Sequence, residues 1–248
     1  MQQHIVFEDE YTTLYQGDAW QVLQGLESAS VDGIITDPPY STGALTLAGK
    51  QADPNKKYQN SSTKKTFPEM LGDGKDQRSF LAWATMWLTE AWRVVKNGAP
   101  VLVFTDWRQL PTVTDALQAA GFSWRGIIIW HKKCGRPMRG EFRRDSEFIV
   151  YGCKGKFAPF TDRCLPGLYG YTVNQNAKEH ISAKPLPLLK DLMEVIPEGG
   201  TVLDPFVGGG TTARAARETG RKCIAVERSK EYAQVTANVL KSSTAVGF

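Results

Sequence analysis

Apolar and polar positions along the chain alternate between two periods. Short apolar runs at 31–36, 101–105, 124–130, 147–151, 202–203 and 222–226 read as buried strands, and 11–15 as another short one. Between them, apolar residues recur at helical spacing over 19–26, 79–97, 110–120, 185–195, 211–219 and 230–240. The 79–97 stretch is the clearest, with Phe80, Trp83, Ala84, Trp87, Leu88, Ala91 and Val95 on one face and Gly98 as a left-handed stop. Strand and helix alternate, which predicts an α/β fold: a doubly wound, mostly parallel sheet covered by helices on both faces.

Three segments break the pattern. Residues 41–78, rich in Gly, Lys, Asn, Ser and Thr, read as a long inserted loop with Lys50, Lys56, Lys57, Lys64 and Lys65 as its charges. Tyr58 and Phe67 within it could contact bases. Residues 131–146 concentrate Lys132, Lys133, Arg136, Arg139, Arg143 and Arg144, with Gly and Pro that argue for a loop. Phosphate contact is the preferred reading of these residues, and a solvated loop the alternative. Residues 154–180 are irregular, with Phe157, Phe160, Tyr169 and Tyr171 among Gly and Pro.

Composition narrows the picture a little. A chain of 248 residues suits one α/β domain with loop insertions. Its formal charge of +4 is modest, so nucleic-acid affinity must come from local clusters of Lys and Arg. Cys134, Cys153, Cys164 and Cys223 lack Cys-x-x-Cys spacing and read as reduced thiols of a cytoplasmic protein. A zinc site drawn from His131, Cys134, Cys153 and Cys164 has irregular spacings, and no metal is expected. No apolar run approaches membrane-spanning length, so no membrane partner is expected.

The candidate chemistry begins where the 31–36 strand meets Asp37-Pro38-Pro39-Tyr40. Two prolines end the strand and fix the backbone, so a carbonyl can point beside the carboxylate and two acceptors converge on one place. An exocyclic amino group would fit them, and Tyr40 offers a flat face for a planar base. A turn with Asp37 as local cap is the plainer alternative. A second pattern lies near the other end: a strand, then Asp204-Pro205-Phe206-Val207-Gly208-Gly209-Gly210-Thr211, a helix, and a strand ending at Glu227. Glycines let backbone approach a ligand closely, and an acid at the next strand's end can take ribose hydroxyls.

Together the two motifs resemble those of the amino-group DNA methyltransferases, which move methyl from S-adenosylmethionine to adenine N6 or cytosine N4. Catalytic motif first and cofactor loop last resembles the beta class, a circular permutation of the Rossmann-like methyltransferase sheet. The resemblance covers nearly the whole chain, with Gly209 standing where the family usually has Ser. It implies Asp37, Pro38, Pro39 and Tyr40 as catalytic residues, and S-adenosylmethionine held by Asp204, Phe206, Gly208, Gly210, Thr211 and Glu227. Asp18 is implied as an adenine contact, although it also reads as a helix N-cap. His180-Ile181-Ser182-Ala183-Lys184-Pro185 resembles the family's His-Pro-x-x-Lys-Pro element, with Ile181 for the first proline; it brings Lys184 to the cofactor. Residues 154–180 occupy the slot for target recognition, and the strands 127–132 and 147–151 resemble those behind the target-base pocket.

The expected activity is therefore methylation of adenine N6 in double-stranded DNA, on a base flipped from the helix. Cytosine N4 is the nearest alternative; the resemblance favours adenine because Asp37 stands where the family's cytosine enzymes more often have Ser. RNA or protein-glutamine methylation, a non-catalytic nucleic-acid-binding protein and a nicotinamide oxidoreductase are the more distant ones. A homodimer is compatible with this reading, as is a restriction–modification setting.

Overall fold

The structure, a computed structural model, describes residues 4–40, 75–133, 139–172 and 184–244. Strands β1 (His4–Glu8), β2 (Thr12–Gln16) and β3 (Gly33–Thr36) alternate with helix α1 (Ala19–Gln24). Then come α2 (Gln77–Val94), β4 (Pro100–Thr105), α3 (Leu110–Ala119), β5 (Ser123–His131), β6 (Ser146–Cys153) and β7 (Leu168–Gly170). The chain continues with α4 (Leu186–Leu192), a 3-10 turn (Met193–Val195), β8 (Thr201–Asp204), α5 (Thr211–Glu218), β9 (Lys222–Glu227) and α6 (Lys230–Thr244).

The strands form one nine-stranded sheet in the order β1-β2-β9-β8-β3-β4-β6-β5-β7. Its centre, β2-β9-β8-β3-β4, is parallel, while β6 runs antiparallel to both β4 and β5. The strand period of two divides the core between the faces. Ile35, Leu102, Phe104 and Val202 pack towards α4, α5 and α6; Ile34, Val101, Val103 and Leu203 pack towards α1, α2 and α3. The doubly wound reading is thus the observed one. A Cβ at Gly33, at the start of β3, would overlap the tip of the buried Ile196 side chain and crowd Pro100, so a larger residue there requires Ile196 to shift.

Several expectations change in detail. Helix α2 starts at Gln77, where Asp76 accepts hydrogen bonds from the Arg78 and Ser79 amides, so the insertion stops short of 78. It ends at Val94 because Val95 is extended and bridges Val31; Gly98, at φ +83°, serves the following turn rather than stopping the helix. The antiparallel edge strand β1 has no clear period in the sequence. The 154–180 region contains β7, which pairs parallel with β5. Residues 41–74, with the insertion's lysines, Tyr58 and Phe67, lie outside the described residues, as do Cys134, Arg136 and His180.

Connectivity then places the site. β3 is followed, through α2, by β4 on one side, while β8 is followed, through α5, by β9 on the other. The two central strands therefore part in opposite directions, and ligands of open α/β sheets bind outside the carboxyl ends at such a switch point. Asp37 follows β3 there, and Asp204 ends β8.

Candidate active site

The first half of the site is built on Asp37. Pro38 is buried and Pro39 half-buried, so the turn is held rigidly against the sheet. Asp37 Oδ1 accepts the Tyr40 hydroxyl at 2.6 Å, and Oδ2 takes the Lys184 ammonium. Lys184 arrives from just before α4 and is only 8 % exposed; it lies 5.3 Å from the ring centroids of Tyr40 and Phe104. Glu147, at the start of β6, completes the group: its Oε2 is 3.2 Å from the Tyr40 hydroxyl and 3.4 Å from Lys184 Nζ, and its Oε1 is 2.5 Å from Lys132 Nζ.

The two carboxylates differ in their titration. Burial pushes the Asp37 carboxyl above its ordinary value, and its single ammonium partner, Lys184, recovers only part of that cost against the nearby charge of Glu147. Burial acts on Glu147 too, but Lys184 and Lys132 together outweigh it and hold Glu147 below its ordinary value. Burial also opposes the charge on Lys184, yet Asp37 and Glu147 win and raise its pKa. The Tyr40 phenol is pushed well up by burial and by both carboxylates, so it remains a hydrogen-bond donor.

The second half is the glycine loop. Gly208 and Gly210 adopt φ of 52° and 85°, and Gly210 caps α5 at Thr211. Glu227 ends β9 beneath them, its carboxylate accepting the Gly208 amide at 3.1 Å and the Ser229 amide at 2.7 Å. Burial raises its pKa. Gly17 donates to the Glu227 carbonyl, so Asp18 stands beside this strand end; its side chain caps α1 by accepting the Trp20 amide. Asp204 is 1 % exposed and accepts from the Thr36 hydroxyl and the Phe206 amide, with burial raising its pKa to about 6. Its place is under the loop, holding the turn. Phe206 packs on the rings of Trp83 and Trp87, at 5.4 and 5.1 Å.

The profile of a DNA methylase family, of the N6/N4 methyltransferase type, matches residues 31–238 and so spans both halves of this site. The chain belongs to that DNA methylase family. YubD of Escherichia coli (strain K12), a putative methylase by name, is 28% identical over 219 residues, covering 88% of this chain and 85% of YubD. The structure of M1.HpyAVI with S-adenosylmethionine superposes with a TM-score of 0.66 at 23% identity, covering 92% of this chain and 98% of that one. The PvuII DNA methyltransferase, cytosine-N4-specific, reaches a TM-score of 0.73 at 15% identity, covering 95% of this chain and 88% of PvuII. The chain thus shares the Rossmann-like methyltransferase fold of these structures.

Within that fold the expected residues are distributed unevenly. Lys184, expected with the cofactor loop, has its ammonium on Asp37 and Glu147. Lys132, expected on phosphate, is paired with Glu147 and lies 5.5 Å from the Trp130 ring centroid. Lys133 is exposed, its stem over Gly170 of β7. Arg139, Arg143 and Arg144 are exposed, Arg144 lying 3.4 Å from Glu141 and 5.8 Å from the half-exposed Trp107 ring. Between them Phe142 is 97% exposed. Glu147 is a site residue that sequence reasoning misses. Its signal is an acid opening an otherwise apolar strand, at the far end of a loop begun by lysines.

Proposed function

We propose that the chain methylates adenine N6 in DNA with S-adenosylmethionine, acting on a base flipped out of the duplex. The observation that carries this reading is Asp37, with Pro38 and Tyr40, standing beside the glycine loop at the switch point between β3 and β8. The relative M1.HpyAVI, as its complex, binds S-adenosylmethionine. Here the group fits the residues present: Glu227 is a charged acceptor for a ribose diol, Asp18 stands at the neighbouring strand end, and the half-buried Gly208-Gly209 turn beside them carries no side chain to block a ligand. When bound, S-adenosylmethionine supplies a methyl group carried on a positively charged sulfur.

The chain's own residues must then prepare the nucleophile. An exocyclic amino nitrogen conjugated with its ring is a poor nucleophile, and it improves as it becomes pyramidal. Asp37 and the Pro38 carbonyl, accepting its two hydrogens, favour that geometry and stabilise the positive charge growing on nitrogen as the new bond forms. Tyr40 supplies a face for the base, and the strand ends hold it in line. Exposed Arg139, Arg143 and Arg144, interleaved with Phe142, suit a duplex whose base has been withdrawn.

Adenine is preferred to cytosine because an acid, rather than Ser, precedes Pro38-Pro39-Tyr40. Duplex DNA treated with the protein and deuterated-methyl S-adenosylmethionine, digested to nucleosides and analysed by mass spectrometry, decides between them. Labelled N6-methyldeoxyadenosine is the expected product. Labelled N4-methyldeoxycytidine would move the target to cytosine, and label in neither would remove the activity.

A further inference from the structure

Asp37 is already occupied on both oxygens. The phenol of Tyr40 sits on Oδ1 at 2.6 Å and the ammonium of Lys184 on Oδ2. Each carboxylate oxygen can accept a second hydrogen bond, but a phenol and an ammonium this close already draw on the charge that an amino hydrogen must meet. Asp37 also has one cationic partner where Glu147 has two. For the proposed reaction, at least one of its present partners has to give way.

Glu147 is placed to receive them. Lys132 anchors its Oε1 at 2.5 Å, which leaves Oε2 facing both groups bound to Asp37: the Tyr40 hydroxyl at 3.2 Å and Lys184 Nζ at 3.4 Å. Resting on the functional reading above, we propose that Glu147 is a positioning residue, the alternative acceptor to which Tyr40 and Lys184 shift when the target base enters, freeing Asp37 for the amino group. Neither donor loses a proton in the shift; each exchanges one carboxylate for the other. Movements of under an ångström suffice, because both donors lie between the two acids. Glu147 also keeps the cluster balanced, Asp37 and Glu147 facing Lys132 and Lys184. With Glu147 neutral, the Lys184 ammonium falls wholly on Asp37 and the clamp tightens.

Two measurements test this. In E147Q, single-turnover methyl transfer should fall on the order of 10–100-fold, less than the loss of a group touching the reacting atoms, while the affinity for S-adenosylmethionine stays as in wild type. The double variant E147Q/Y40F should then be faster than E147Q alone, because one of the groups clamping Asp37 is gone; a merely structural Glu147 predicts a double variant that is equal or slower, and that result overturns the proposal. The second measurement needs no activity. In a crystal structure of full-length D37N without substrate, the Tyr40 hydroxyl and Lys184 Nζ should both move onto Glu147, to within about 3.0 Å. If both stay on residue 37 or turn to solvent, Glu147 is no alternative acceptor. Absence of transfer from the wild-type protein would instead overturn the functional reading, and the D37N structure would still decide the shift.

Discussion

The Thr36 hydroxyl donates a 2.6 Å hydrogen bond to Asp204 Oδ1, joining the strand that leads into Asp37 to the strand that opens the glycine loop. Both side chains are buried. This hydrogen bond sets the Asp37 turn relative to the glycine loop. Thr36→Val keeps the shape and removes the donor, leaving part of a buried carboxylate unsatisfied. The expected cost is about 1–3 kcal/mol, read as a lower urea midpoint with unchanged slope.

Asp204 should also give the protein a pH-dependent weakness. Burial raises its pKa from 3.8 to about 6, so between those values the folded protein keeps a proton that the unfolded chain has released. Stability from this group is therefore greatest below about pH 4 and falls as pH rises to about 6, by on the order of 2–3 kcal/mol. Asp204→Asn keeps the one oxygen that accepts from both Thr36 and Phe206 and cannot ionise. Urea unfolding across this range should show wild type losing stability relative to the variant as pH rises; parallel curves would mean that Asp204 does not titrate there.

Asp37→Ala should slow methyl transfer severely while the fold survives. Lys184 is left facing Glu147, which limits the penalty of its burial. Removing one preorganised acceptor costs on the order of 10²–10³ in rate, and more if the base is misplaced. Calorimetry should find S-adenosylmethionine affinity near that of wild type. A variant with wild-type single-turnover transfer would reduce Asp37 to a turn residue.

Glu227→Ala should weaken S-adenosylmethionine binding by about 1.5–3 kcal/mol, because the ribose no longer meets a charged acceptor. Glu227 also holds the Gly208 and Ser229 amides, so Glu227→Ala loosens the loop as well. Glu227→Gln, which keeps one amide partner, should weaken binding less. Equal affinity in all three proteins by titration calorimetry would take ribose recognition elsewhere.

The basic loop makes a divided prediction. Arg143 and Arg144 are exposed, and neutralising both should flatten the log–log salt dependence of DNA binding by about 0.9 for each phosphate that is no longer neutralised. Lys132→Ala should leave that slope unchanged and slow methyl transfer instead, since its ammonium is committed to Glu147. Filter binding over a range of salt concentrations, beside single-turnover transfer, distinguishes the two outcomes.

Much of this protein is legible in the chain alone, where the signal is local. Strands such as 31–36 and 101–105 are apolar because both sheet faces are covered, and 79–97 shows its helix by period, so fold class and layer order follow. Asp37-Pro38-Pro39-Tyr40 and the glycine loop are likewise legible, because backbone constraint and side-chain chemistry lie within a few consecutive residues. What tertiary structure decided was pairing. Lys184 reads as a cofactor residue by its place in the sequence, yet folding sets it on Asp37, 147 residues away. Lys132 reads as one more charge of a phosphate loop, but the antiparallel register of β5 and β6 brings the loop's two ends together and gives it to Glu147. Asp204 reads as a ligand contact and is instead covered, holding two strands in place. A sequence records each residue's charge and local period; which opposite charge neutralises it, and whether water reaches it, depends on strand order and register across the sheet.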